Sequence, residues 1–204
     1  MDPIKIGYTL RAGTKGFVAG CPVSQMGLPS LAALIYVPLD DDYRIFGIIY
    51  DIHINDDGLV RQLVTVDSIS AEVIRDNRER RIIPMEMSVV TIGFEKKGAI
   101  SYLLPPKPPL SLDVIHLCDD DDLIRFTGAG NFGYFRHILR NKDLPTGEIF
   151  AAHLQQAGSA HNQKGNPGWW QDATRELITL LRDDYSTLME VLSTLGDTQI
   201  GEKK

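Results

Sequence analysis

Two cysteines in 204 residues, Cys21 and Cys118, with no CxxC spacing, are too few for a disulfide framework or a cysteine zinc site. The expectation is a reducing, cytoplasmic setting. No apolar run approaches the ~20 residues of a membrane span. The opening residues MDPIKIGYTL lack the long apolar stretch of a signal peptide and carry a Lys at position 5. Positive charge is in deficit too: 21 Lys and Arg against 27 Asp and Glu leave a net charge of −6. That counts against a dedicated nucleic-acid binder, whose phosphate contacts need clustered cations, but it leaves room for a local basic patch. There is no GxSxG, no HExxH and no Walker A lysine, so no nucleophile or base offers itself. These absences predict a protein that is not an enzyme and uses no cofactor.

With 43% hydrophobic and 24% charged residues, the chain has the composition of a globular protein able to bury a core. Its first part reads as strands. Residues 4–10 (IKIGYTL) alternate, Gly13-Thr14-Lys15 turns the chain, and Gly16 to Cys21 makes a short glycine-bounded strand. CPVSQMGLPS is loop. Residues 31–38 (LAALIYVP) form a third strand, Asp40 to Asp42 a turn, and 43–54 (YRIFGIIYDIHI) a long fourth strand. In that strand the face carrying Arg44, Phe46, Ile48, Tyr50, Ile52 and Ile54 is almost wholly apolar and is expected to face the core. Gly47 in its middle signals a bulge or bend of the kind small barrels use to close. Asn55 to Gly58 is a loop and 59–66 (LVRQLVTV) a fifth, irregular segment.

From Ser68 to Arg81 the period changes to that of a short basic helix, with Ser68 as the expected cap. Residues 82–95 return to strand, Lys96-Lys97-Gly98 is a tight turn, and 99–104 (AISYLL) is its hairpin partner. Pro105-Pro106-Lys107-Pro108-Pro109 is a stiff, extended strap, and Leu110 to Cys118 supplies one more strand closing a barrel. After the acid run Asp119–Asp122 the chain reads as helical. Helices are expected at 132–140, from Pro145 to a stop at Gly158, from Asn166-Pro167 along Trp170, Ala173, Leu177, Leu180 and Leu181, and from Asp183 or Asp184 to Gly196. The predicted fold class is therefore α+β: a small closed β-barrel over 1–118, then an all-helical domain over 119–204 ending in a frayed tail.

Each patch that suggests chemistry also has a plain structural explanation. Gly128-Ala129-Gly130-Asn131-Phe132-Gly133 matches GxGxxG. No second parallel strand follows it to complete a dinucleotide site, and the preceding acids would repel phosphate, so a glycine connector is expected. The acid runs lack the spaced ligands of a calcium loop, and turns and a helix start account for them. His116 and Cys118 share a strand face and, with His53, are a possible metal or small-ligand group; a core cysteine and a hydrogen-bonded histidine are the favoured reading. Arg75, Arg78, Arg80 and Arg81 make the one concentrated basic patch, a possible partner or nucleic-acid contact set against a solvated helix face. Trp169-Trp170 are expected to anchor the helical core.

With the strands placed, IGYTLRAGT, LIYVPLDDDYRIFGIIYDIHINDD, PMEMSVVTIGF and LLPPKPPLSL resemble the HAS-barrel, the small β-barrel shared by HerA-type DNA-translocating ATPases and ATP synthase subunits. The pattern lies in a glycine-containing first strand, an aliphatic strand with a central glycine (Phe46-Gly47-Ile48-Ile49) and a proline-rich exit, and covers about residues 4–118. The departure is that an all-helical segment stands where such ATPases carry their phosphate-binding loop. The resemblance thus implies the barrel's assembly role without ATP hydrolysis: an adaptor docking on a partner, with a HerA-like ATPase or nuclease complex in DNA processing as the expected one. The alternative is a nucleic-acid-binding small barrel using the Arg75–Arg81 face.

Overall fold

The computed structural model describes residues 3–22, 29–40, 42–54, 68–79 and 84–200, with 76–79 and 198–200 by backbone alone. Seven strands form one antiparallel sheet: β1 (Ile4–Gly13), β2 (Gly16–Cys21), β3 (Leu34–Asp40), β4 (Tyr43–Ile54), β5 (Met85–Lys96), β6 (Ala99–Ser101) and β7 (Val114–Leu117). Their order is β2-β1-β7-β3-β4-β5-β6, and a further β2–β5 pairing closes six of them into a barrel. β5 serves two neighbours along one edge, β2 over Met85–Val90 and β6 over Phe94–Lys96. Six helices are described: α1 (Ala71–Glu79), α2 (Asp120–Thr127), α3 (Phe135–Leu139), α4 (Thr146–Gln163), α5 (Trp169–Leu180) and α6 (Tyr185–Ile200). A closed β-barrel is thus followed by helices, as the patterning predicts. The segment 59–66 lies outside the described residues.

The core is double. Ile6, Phe17, Ile35, Ile49, Met87 and Ile115, with their neighbours, fill the barrel interior. On the other side of the β3–β4–β5 wall, Tyr36, Phe46, Ile48, Val90 and Ile92 join the helical residues in a second cluster. This corrects the expectation that β4 has a single core face. Ile45 to Ile49 are all buried, because the Ile49 side fills the barrel while the Phe46 and Ile48 side meets the helices. Strands covered on both faces need continuous apolar runs, which is what LIYV, IFGII and VVTIGF are.

Two devices seat the helices on this wall. The first is an aromatic and histidine contact set. Phe126 of α2 packs on Phe46 with ring centroids 4.6 Å apart. His153 of α4 is fully buried; its Nδ1 lies 3.4 Å from the Ala32 carbonyl and its Nε2 3.1 Å from the Tyr134 hydroxyl. A carbonyl only accepts, so Nδ1 carries the proton and Nε2 accepts from Tyr134. The second device is an ion cluster. Arg44 of β4 donates to Glu95 of β5 at 2.8 Å through Nε and at 2.5 Å through Nη2, and reaches Asp122 of α2 at 3.1 Å. Arg125 bonds both acids, Asp122 at 2.7 Å. Burial alone would raise the Glu95 carboxyl; the hydrogen bonds from Arg125 and Arg44 and their charges outweigh it and hold it below its ordinary value.

Several local expectations are corrected. β3 begins at Leu34 instead of Leu31, because Ala32 takes a left-handed φ of 62°. Ser70, not Ser68, caps α1, accepting from the Val73 amide at 3.3 Å. Gly158 lies inside α4; a Cβ there would meet the Trp170 ring at 2.9 Å, so the glycine makes room for a helix contact. The chain turns instead at Gly165, φ 86°. Trp169 replaces Trp170 in the buried stripe of α5, and α6 runs through Gly196. Asp184 caps α6 as predicted, accepting from the Thr187 amide at 3.1 Å.

Two outcomes follow. The register shifts at Phe46/Gly47, and a Cβ on Gly47 would lie 2.4 Å from Val89 Cγ1 and 3.0 Å from the Val90 carbonyl. Gly47→Val should therefore cost about 1–3 kcal/mol in urea unfolding, and an unchanged midpoint would contradict the placement. Burial lowers His153 to about 4. Its folded value lies below the unfolded one near 6.5, so the unfolded chain binds protons first as pH falls. The stability it contributes is whole above about pH 6.5 and lost towards pH 4. The stability gap between wild type and His153→Gln, measured by urea unfolding, should narrow over that window; a constant gap would contradict the assignment.

Candidate functional site

The barrel interior is occupied by its own side chains, so the candidate surface lies outside it, along the proline strap. Residues 102–113 connect β6, beside β5, to β7, between β1 and β3. Prolines supply no N–H to a ladder and stiffen the chain, so this crossing lies over the barrel without adding a strand. Pro105 and Pro109 are buried and anchor it, while Leu103, Leu110 and Leu112 stand 64%, 71% and 72% exposed.

The turn carrying the last two leucines is built firmly. The Leu112 amide donates to the Thr9 carbonyl at 2.7 Å, and the Thr9 amide to the Asp113 carbonyl at 2.9 Å. Asp113 Oδ2 accepts from the Leu110 amide at 2.7 Å, and the Ser111 hydroxyl donates to the Leu10 carbonyl at 3.1 Å. Leu112 is held at φ 73°, a left-handed conformation that costs an L residue roughly 1–2 kcal/mol. A large apolar side chain is thus fixed outward in an unfavourable backbone state, with exposed Leu10 and Tyr8 on the β1 strand to which the turn is bonded. Leu112 shares this positive φ with Ala32, Lys97 and Phe132, and among these four it is a large apolar side chain left 72% exposed.

The residues singled out in the sequence are distributed differently. Arg75 is exposed on α1 and Arg78 lies on the same helix; Arg80 and Arg81 lie outside the described residues. His53 sits beside Asp51, Nδ1 to Oδ2 2.9 Å, with Glu86 Oε2 3.9 Å from Nε2. His116 stacks on Tyr36 at 5.2 Å, and burial, then the Lys5 charge, lower its pKa. Burial first, then the Asp122 charge, raise the Cys118 thiol well above its ordinary value, which keeps it protonated and a poor nucleophile. His116 and Cys118 thus belong to the barrel wall, while His53 joins a separate acidic pair. Among the described residues no group of three or more His, Cys, Asp or Glu is placed to hold a metal.

The GxGxxG segment connects α2 to α3 and receives a tyrosine. Cβ atoms on Gly130 and Gly133 would lie 2.9 and 3.0 Å from the Tyr102 ring. Tyr102 is fixed there by its hydroxyl donating to the Phe126 carbonyl at 2.6 Å and by Arg136 and His137 on its own carbonyl. Burial pushes its hydroxyl up to about 12, so it stays a neutral donor. The acid run starts α2: the Asp119 carboxylate accepts from the Asp122 amide at 2.8 Å, and the remaining acids favour the positive end of the helix dipole.

Fold and surface together define a closed antiparallel barrel with a helical cover and a projecting leucine turn. No protein-family model matches the chain, and no curated protein does. Among the described residues no helix is long and apolar enough to cross a membrane.

The strain at Leu112 is testable. Leu112→Gly should leave the melting temperature equal to or above that of the wild type, because glycine adopts this φ freely; a clear drop would mean that the leucine packs into the fold.

Proposed function

We propose that this protein is a non-enzymatic adaptor that docks through the strap side of its barrel on a protein partner, a HerA-like DNA-translocating ATPase or its nuclease complex. The observation that carries this reading is the leucine turn: Leu110 and Leu112 are held in solvent by three hydrogen bonds between the turn and β1 and by the Leu110–Asp113 bond within the turn. The likeness of the barrel's strands to the HAS-barrel supplies the partner, since that barrel serves assembly around rings. The filled barrel interior supports a surface role over a ligand-carrying one. Two free cysteines fit a cytoplasmic setting. Nucleic-acid binding through Arg75 and its neighbours is the competing outcome of the same experiment.

Affinity capture from the protein's own cells, with nuclease treatment and mass spectrometry, is run with wild type and with Leu110→Asp/Leu112→Asp. The expected result is a ring ATPase retained by the wild type after nuclease and lost from the variant. Both leucines are exposed, so the variant should keep its melting temperature. Equal retention by both proteins, or an ATPase lost on nuclease treatment, would refute the docking surface.

A further inference from the structure

A second surface feature is independent of the leucine turn. Where β5 passes from its pairing with β2 to its pairing with β6, a cleft of about 790 Å³ opens beside the β1–β2 hairpin. Its walls come from three separate parts of the chain. Arg11 stands on β1, where the register shifts between Thr9 and Arg11. Lys15 lies in the hairpin turn, its carbonyl accepting from the Thr91 amide at 3.0 Å. Arg140 ends α3. All three line the cleft, against a single carboxylate, Asp143.

Such a grouping runs against the composition of the chain, whose net charge is −6. Like charges brought together from distant segments repel, and that cost is offset when an anion occupies the space between them. The cations are also available. Among the described residues Lys15 and Arg140 make no ion pair, and Arg11 has only Glu86 at 3.7 Å, with the arginine side chain 71% exposed. The accessible apolar part of the lining has a different character: it is the half-buried Tyr50 and the exposed Leu104, for Phe17, Val89 and Val90 are buried in the two cores. The buried Thr91 hydroxyl, on a residue that also lines the cleft, has no hydrogen-bond partner among the described residues. His137 lines the cleft uncharged, since burial lowers its pKa, and its Nε2–H is given to the Tyr102 carbonyl at 2.6 Å.

We propose that this cleft, with Arg11, Lys15 and Arg140 at its rim and Tyr50 and Leu104 as its accessible apolar side chains, binds an organic phosphate with a ring-bearing body, a nucleoside diphosphate being the simplest molecule of that class. The volume falls within the range of small-molecule sites. Guanidinium and ammonium groups suit phosphate oxygens, and the Tyr50 ring suits a flat ring. The site is unrelated to the GxGxxG segment, whose glycines are occupied by Tyr102.

The test is fluorescence anisotropy of mant-ADP titrated with the full chain, with unlabelled ADP, adenosine, inorganic phosphate and a short oligothymidylate as competitors. The expected result is saturable binding, weakened by added salt and displaced by ADP but not by adenosine or phosphate at equal concentration. Lys15→Gln and Arg140→Gln should each weaken it about tenfold, the loss of one charge-assisted hydrogen bond, while Arg75→Gln should not. Lys15 and Arg140 are exposed, so unchanged melting temperatures will verify that the variants fold. Absence of saturable binding up to millimolar protein, or equal affinity in the cleft variants, would overturn the proposal. Displacement by phosphate as readily as by ADP would reduce the cleft to a simple anion site. Displacement by oligothymidylate alone would assign it to single-stranded nucleic acid instead.

Discussion

The β3–β4–β5 wall, buried on both faces, is the constraint on which the rest of the structure depends. Inward side chains such as Ile35, Ile49 and Val89 fill the barrel, and outward ones such as Phe46, Ile48 and Ile92 would be in water without the helices. Each large apolar side chain taken out of water contributes roughly 1.5–3 kcal/mol, so covering the outer face matters as much as filling the barrel. The Arg44–Glu95–Arg125–Asp122 cluster and the Tyr134–His153–Ala32 contacts fix where the cover sits. Partly buried charges are poor sources of net stability, but they penalise misplacement strongly.

Much of this fold was legible because period and punctuation agree. Gly16–Cys21 and Tyr43–Ile54 begin and end as read from their alternation and flanking turns. What was not legible depends on contacts distant in sequence. The helices that cover Phe46 and Ile48 come some eighty residues later, so a one-faced strand was the natural reading. Ala32 and Leu112 adopt left-handed backbone, which neither residue type signals. Gly158 reads as a helix stop, yet it is small because Trp170 lies against it. The basic cluster and the histidine–cysteine group stood out by residue type, whereas the strap leucines and the Arg11–Lys15–Arg140 cleft emerge only when strands separated in sequence are brought together.

The same architecture accounts for both surfaces. A closed barrel leaves few free sheet edges, so recognition falls to what crosses it and to the seams between strands. The strap crosses from β6 to β7 and bonds to β1, presenting leucines. The seam on β5, shared between β2 and β6, leaves the cleft. The leucine turn does not draw on the residues that join barrel to helices, whereas the cleft shares Val90 and His137 with that join.

The most direct test of the shared wall is to separate its two sides. Residues 1–118 and 119–204, produced separately, would be followed by urea unfolding monitored by circular dichroism. If the helices complete the outer core, fragment 1–118 alone shows no cooperative transition and regains one on mixing with 119–204. A fragment 1–118 that unfolds cooperatively at the midpoint of the intact chain would show that the barrel does not need its helical cover.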